Sequence, residues 1–464
     1  MKTYDLVVIG SGPGGQRAAI QAAKLGKTVA IIEKDRVGGS SLHTGTIPSK
    51  TMKDAASKLS VVKAELRQDC FRQLTERKDD VIASEEAVVE DQILRNQIEK
   101  ISGIGFFKNE NEIYIQDVGK SSKTIRSIQA EKIVLATGTR PRRPHTVKFD
   151  DKILVDSDSF LKVNQFPESF GVIGAGVIGC EYASIFSKLG IPVTIVDKRR
   201  ELLRGIDQEI VEKLRSVLES QGVRFLLGQP FKDPYVKNGK VILPHCQDEY
   251  EFDLCLFCMG RSGNVESLRL KNAGLEANAR GLIEVNESFQ TQKPHIYAVG
   301  DLIGSPALAA AAFEQGRVAA LHAFGVAKVQ FPNLFPYGIY TIPEISSVGK
   351  EEADLQKENI PYVAGRASFK EIARGKILDD DEGFLKLLFH KESKRLLGVH
   401  VVGTQATELV HIGQVALSFD ASLDHLLGLI FNYPTLAEAY KVACLSAANA
   451  LNETYSESSE LLES

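Results

Sequence analysis

No stretch of this chain approaches the roughly 20 consecutive apolar residues of a membrane span. Nor does its start carry a signal-peptide pattern, since Met1-Lys2-Thr3-Tyr4-Asp5 leads straight into an apolar strand. Cysteines are few and scattered, at 70, 180, 246, 255, 258 and 444, without the regular spacing of a disulfide framework. That usage suits a reducing, cytoplasmic setting. Cys255 and Cys258 form a C-x-x-C, but within Asp253-Leu254-Cys255-Leu256-Phe257-Cys258-Met259-Gly260, which reads as a buried strand. Residues three apart on a strand face opposite sides, so the pair is structural and no metal site is expected. A formal net charge of -4 gives no case for nucleic acid or an anionic membrane as partner. Small molecules remain as the expected partners. The composition, 43% hydrophobic and 25% charged over 464 residues, is that of a soluble chain with two to four globular domains.

What the chain has is a repeated glycine pattern. The strand Leu6-Val7-Val8-Ile9 runs into Gly10-Ser11-Gly12-Pro13-Gly14-Gly15 and an alanine-rich helix to about Lys24; a second strand, Thr28–Ile32, ends at Glu33. The pattern recurs as Gly171-Val172-Ile173, then Gly174-Ala175-Gly176-Val177-Ile178-Gly179, a helix, and a strand Pro192–Val196 ending at Asp197. In both copies the acid follows the last glycine of the motif by 18 residues. One G-x-G-x-x-G is weak evidence, but two in full strand-turn-helix-strand-acid context predict two dinucleotide-binding folds. Glycines at Gly10, Gly12, Gly14 and Gly15, and again at Gly174, Gly176 and Gly179, let backbone N–H groups approach a pyrophosphate at a helix N-terminus. Glu33, with Lys34 beside it, suits an adenosine ribose. Asp197 suits the free 2′-hydroxyl of NAD, while Lys198, Arg199 and Arg200 right after it suit the 2′-phosphate of NADP, so the choice of nucleotide stays open. Between the copies lies a helical stretch from about Ser49 to Lys100. The strand Lys132–Leu135 then leads to Ala136-Thr137-Gly138-Thr139-Arg140-Pro141, a domain edge. Gly260 closes a strand of the second unit. From about Pro336 the glycine-rich loops stop, which marks a third domain. The serine-rich, acidic end of the chain reads as a flexible tail.

The segment Gly38-Gly39-Ser40-Ser41-Leu42-His43-Thr44-Gly45-Thr46-Ile47-Pro48-Ser49-Lys50 resembles the G-G-x-C-x-x-x-G-C-I-P-S-K of flavin disulfide reductases, with Ser41 and Thr46 where both redox cysteines belong. Neither can form a disulfide or a thiolate, so a dithiol relay is excluded. The resemblance implies FAD in the first domain, with Thr137, Gly138, Gly38 and Gly39 near it and Asp301 of Tyr297-Ala298-Val299-Gly300-Asp301 on the ribityl chain. An aspartate there also suits a helix N-cap. It further implies that Lys50 lies beside flavin N5, paired with Glu181. Asn432-Tyr433-Pro434-Thr435-Leu436-Ala437-Glu438 resembles the family's H-P-T-x-x-E, with Tyr433 in place of the acid/base histidine. A tyrosine of pKa about 10 is a poor base at neutral pH, so Tyr433 is read as packing or ring stacking.

Loss of both cysteines and the histidine, beside two retained fingerprints, Lys50 and Glu181, fits hydride exchange between nicotinamides, which needs no net proton transfer. The chain thus resembles the soluble pyridine nucleotide transhydrogenases from residue 4 to about 450. The most specific segments are 45–50, 174–186, 340–350 and 431–440. Asp197 departs from that pattern, where a neutral residue is expected. The expected fold is α/β and glutathione-reductase-like: two Rossmann-like domains, for FAD (1–148 and 270–335) and for NAD(P) (149–269), plus an α+β C-terminal dimerisation domain (336–450) and a tail (451–464). The expected activity is FAD-dependent hydride transfer between NADPH and NAD⁺ in a homodimer or higher homo-oligomer. An NAD(P)H diaphorase or quinone reductase and a non-catalytic redox-sensing flavoprotein are the alternatives.

Overall fold

The computed structural model describes residues 2–58, 67–118, 125–163, 165–326 and 330–460. Two compact units emerge. One contains Met1–Met52, Glu65–Phe166 and Phe257–Pro332; the other contains Lys53–Ala64, Pro167–Leu256 and Asn333–Ser464. The chain passes from the first unit to the second after Phe166 and returns after Leu256. Residues 167–256 fall in one unit with the C-terminal domain.

The first unit is built on a seven-stranded sheet. Its centre is parallel: Lys2–Ile9 lies between Val29–Glu33 and Ile125–Leu135, in register Val7↔Ala30 and Val7↔Ile133. Leu6, Val7 and Val8 are completely buried, which explains a continuous apolar run rather than an alternating one: both sheet faces are covered. Helices Pro13–Lys24 and Ala309–Ala323 pack on one side, drawn close by small residues. A Cβ at Gly316 would stand 2.0 Å from the Gly14 carbonyl oxygen, so the alanine and glycine content of both helices follows from this crossing. The helical stretch expected over 49–100 resolves into Thr46–Ser57 and Arg67–Arg95, with the strand Glu99–Ser102 already inside it.

In the second unit, Val193–Asp197 pairs in parallel with Phe170–Ile173 on one side and Arg224–Leu227 on the other. Helix Val177–Lys188 follows strand Phe170–Ile173 and precedes Val193–Asp197. A three-stranded antiparallel sheet, Tyr235–Lys237, Lys240–His245 and Asp248–Phe252, is an addition the sequence pattern did not announce. The C-terminal part is a five-stranded antiparallel sheet from Tyr337–Ile339 to Leu396–Gly403, covered by helices Ala406–Ser418 and Glu438–Glu460. The last helix carries regular backbone to Glu460, into the segment expected as a flexible tail. Lys386, on strand Phe384–His390, is completely buried among Asp207 (2.9 Å), Glu209 (3.0 Å) and Glu352 (2.6 Å). Asp207 caps the helix Gln208–Ser220, so this charge cluster ties that helix to the C-terminal sheet.

Candidate dinucleotide sites

At the first glycine loop, Gly10 sits at φ +102°, a left-handed conformation that a side chain would strain, and a Cβ at Gly15 would meet the Gly10 oxygen at 2.0 Å. Those two glycines serve the turn itself. Gly12 is different. It precedes helix Pro13–Lys24, and a Cβ there would find only Gly39 Cα, at 4.0 Å. Packing within the protein does not demand glycine at 12, whereas an anion lying on the helix N-terminus does. Pro13 at the first helical position lacks an N–H that would have been unpaired in any case.

The neighbouring residues assemble around this loop. Glu33 Oε2 accepts from Ser11 N (2.9 Å) and Ser11 Oγ (2.7 Å), and Oε1 accepts from the backbone of Lys34 (2.8 Å) and Asp35 (3.1 Å). Lys34 takes part through its N–H; its side chain is exposed. Gly38 N donates to Ser11 O at 3.1 Å, and a Cβ at Gly39 would stand 2.8 Å from Gly12 Cα. Gly10, Gly12, Gly14, Gly15, Glu33, Gly38 and Gly39 are therefore one constellation. Ser41 lies in the short helix Gly39–His43 and Thr46 opens the helix Thr46–Ser57, both half-buried. Lys50 lies one turn further on, half-buried, with Nζ 3.3 Å from Ser49 Oγ.

A second group in the same unit surrounds Asp301. This residue is in the first turn of the 3-10 helix Gly300–Ile303, whose N-cap is Val299, so Asp301 does not cap the helix. Gly300 N donates to the buried Gln315 Oε1 at 2.7 Å, and Asp301 Oδ2 accepts from Thr139 Oγ1 at 3.1 Å. Thr137 and Gly138 are fastened by Asn264: Thr137 Oγ1 donates to Asn264 O (2.8 Å), Asn264 Nδ2 to Thr137 O (3.0 Å) and Asn264 N to Gly138 O (2.9 Å). Thr139, Asn264 and Gln315 were not among the expected site residues. Their role depends on contacts 127 and 162 residues apart, and at Gln315 on one backbone N–H, so local sequence carries no sign of it. Gly260, expected with the NAD(P) residues, lies in this first unit at φ +99°; its oxygen accepts from Arg142 N at 3.0 Å.

The second glycine loop, in the other unit, repeats the logic. Gly176 precedes helix Val177–Lys188 with extended backbone (φ -89°), and a Cβ there would meet nothing within 4 Å. Gly174 has φ +125° and Gly179 is buried on the helix. Asp197 is completely buried and fully engaged. Its Oδ2 accepts from Ala175 N (2.9 Å) and Arg199 Nη2 (2.8 Å); Oδ1 accepts from Arg199 N (2.9 Å) and Nε (3.2 Å). Burial alone pushes the Asp197 carboxyl up, but these bonds from Arg199 and Ala175 outweigh it and hold the group below the usual carboxylate range. Arg199, expected to greet a 2′-phosphate, is thus held by Asp197 in this structure, although half of its side chain remains exposed. Glu181, on the same helix as Gly179, is buried, and its Oε1 accepts from the backbone N–H of Tyr340 at 2.9 Å. Tyr340 was not anticipated, because a backbone donor 159 residues away leaves no mark in a motif. Cys255 is buried within strand Leu254–Phe257, with Cys258 one residue past its end. Tyr433 is 68% exposed within its own chain.

Two glycine cradles with room left at the middle glycine, each beside an acid, fit one dinucleotide apiece. The family model for pyridine nucleotide-disulphide oxidoreductases matches residues 4–316, and that for their dimerisation domain matches residues 335–444. The chain is 46% identical to the soluble pyridine nucleotide transhydrogenase of Mycobacterium tuberculosis, over 98% of this chain and 99% of that one. It is 42% identical to the protein of the same name from Marinomonas (96% and 98%) and 40% identical to that from Pseudomonas putida (97% and 99%). Among solved structures, the HOCl-induced flavoprotein disulfide reductase RclA of Escherichia coli superposes with a TM-score of 0.88 at 24% identity, covering 95% of this chain and 99% of that one. LpdA of M. tuberculosis gives 0.86 at 23% identity, covering 96% and 99%; both likenesses concern the glutathione-reductase-like fold. By the match of sequence over nearly its whole length, the chain belongs to the pyridine nucleotide-disulphide oxidoreductase family.

Proposed function

We propose that this protein exchanges reducing equivalents between NADPH and NAD⁺ at a bound FAD, by a ping-pong cycle that uses no redox disulfide. The observation that carries this reading is the combination of two intact dinucleotide cradles with Ser41 and Thr46 at the positions of the cysteine pair. The relatives' shared name, soluble pyridine nucleotide transhydrogenase, supports it.

FAD, when bound, supplies a two-electron carrier that accepts from one nicotinamide and returns to another. The protein's own residues bind and orient. The N-terminus of helix Pro13–Lys24 with Gly12 would hold the FAD pyrophosphate, Glu33 the adenosine ribose and Asp301 the ribityl hydroxyls. Lys50 would place a positive charge where electron density rises on the isoalloxazine. The loop at Gly176 would hold the nicotinamide dinucleotide pyrophosphate. For NADP, Arg199 would turn its remaining guanidinium N–H donors to the 2′-phosphate; for NAD, Asp197 would share an oxygen with the 2′-hydroxyl. Either move starts from a satisfied pair, which suits a protein that serves both nucleotides without strong preference.

A homodimer formed through the C-terminal domain is part of this reading. The match to a dimerisation domain supports it, as do Ile430 (99% exposed) and Phe419 (81%), apolar side chains left in water within that region. No helix among the described residues is long and apolar enough to cross a membrane, and a cytoplasmic location is proposed on the expectation from composition. The test is anaerobic titration of the FAD-loaded protein with each reduced nucleotide. Bleaching of the flavin by both NADPH and NADH supports dual use; bleaching by only one refutes it.

A further inference from the structure

Arg261 and Thr139 form a chain of bonds that ends on Asp301. Thr139 begins the short strand Thr139–Pro141, which pairs antiparallel with Arg261–Gly263, in register Gly263↔Thr139. Arg261 reaches back along this ribbon and grips Thr139 twice: Nε donates to Oγ1 at 2.8 Å and Nη2 to the carbonyl oxygen at 2.9 Å. The third nitrogen, Nη1, faces Ser157 Oγ (3.3 Å) and Asp158 Oδ1 (3.4 Å). Thr139 is buried. Its hydroxyl has one hydrogen, and because Arg261 occupies a lone pair, that hydrogen is directed to Asp301 Oδ2, 3.1 Å away. A hydroxyl that accepts from a guanidinium is a stronger donor than one left alone. The order Asp158, Arg261, Thr139, Asp301 therefore alternates negative, positive, hydroxyl and negative. Only one oxygen of Asp301 is used by it, leaving Oδ1 for a ligand.

We propose that Arg261 and Thr139 are positioning residues that fix the Asp301 carboxylate for the flavin, with Arg261 acting on the cofactor solely through the Thr139 hydroxyl. The proposal rests on the reading above that Asp301 binds FAD. Neither residue touches the cofactor in it. Carboxylate orientation is what the chain controls: with Oδ2 held by Thr139, the remaining oxygen points in one direction and not over a cone of rotamers.

The test is a double-mutant cycle on the full-length protein, stripped of flavin and reconstituted with FAD, read as the FAD dissociation constant from flavin fluorescence, with the visible spectrum of bound flavin and the melting temperature recorded for each variant. Thr139→Val keeps shape and removes the hydroxyl; its dissociation constant is expected to rise about tenfold, the worth of one buried hydrogen bond to a charged group. Arg261→Met is expected to produce a rise of similar size, and the double variant no more than either single one. Thr139→Ser, which restores the hydroxyl, should return wild-type affinity even if the melting temperature falls. Additive losses in the double variant, or a melting-temperature change with FAD affinity intact, would overturn the relay. Asp301→Ala separates the two layers. If it weakens FAD while Thr139→Val does not, the relay is wrong and Asp301 stands. If Asp301→Ala leaves FAD affinity unchanged, the assignment on which the relay rests fails with it.

Discussion

Replacing Gly176 with alanine should weaken nucleotide binding by roughly tenfold to hundredfold while leaving the fold intact, and the structure allows both halves of that statement to be worked out. Gly176 has φ -89°, an angle any residue adopts, and its added Cβ would contact nothing within 4 Å. The only structural cost is that of alanine at a helix N-cap, less than about 1 kcal/mol. A bound pyrophosphate must lie against the N–H groups that this backbone presents. A methyl group there lifts the anion away; losing one charge-assisted hydrogen bond costs about 1.5–3 kcal/mol, or roughly tenfold to hundredfold in affinity. NADH and NADPH share the pyrophosphate, so both dissociation constants should rise together, measured by calorimetric titration, with the melting temperature nearly unchanged. Gly15→Ala is the control. Its Cβ would stand 2.0 Å from the Gly10 oxygen, so that variant should lose about 3 kcal/mol of stability or fail to fold. Unchanged binding by Gly176→Ala would refute the assignment of this loop as the nicotinamide dinucleotide cradle.

Three further outcomes follow from the same geometry. Asp197→Asn exchanges one acceptor oxygen for a donor facing Ala175 N or Arg199, so the unit should lose about 2 kcal/mol of stability, and NADPH should gain relative to NADH because a charge near the 2′-phosphate is removed; an unchanged preference removes Asp197 from specificity. The Asp197 carboxyl sits below its unfolded value of about 3.9, so its stabilising contribution is complete above that pH and is lost as pH falls through the lower folded value; acid unfolding of Asp197→Asn should be less steep below about pH 4, as followed by circular dichroism. Lys50→Ala should retain the fold and slow flavin reduction by roughly tenfold to hundredfold, a stopped-flow measurement in which an unchanged rate removes Lys50 from the mechanism.

Sequence alone revealed the features that depend on single local rules. Gly10, Gly15 and Gly174 are required by backbone angle or close approach, and the acids at Glu33 and Asp197 end strands at a fixed interval, so both loops were visible as motifs. The long-range layer was not. Tyr340 offers Glu181 a backbone N–H, and Arg261 acts at Thr139, 122 residues away; no residue type or spacing announces such bonds. The charge of Arg199 is visible in the sequence, whereas its bond to the neighbouring Asp197 is not. The helix to Glu460 was missed for a compositional reason: its serine- and glutamate-rich end lacks the apolar stripe by which helices are recognised.

Hydride exchange between the two nucleotides is tested most directly by an anaerobic assay of the FAD-loaded protein with NADPH as donor and thio-NAD⁺ as acceptor, without quinone or thiol. Rapid, stoichiometric formation of thio-NADH is the expected result, and it would be obtained with Ser41 and Thr46 in place of any disulfide. Flavin bleached by NADPH with no thio-NADH formed would contradict it, and would assign the electrons to another acceptor.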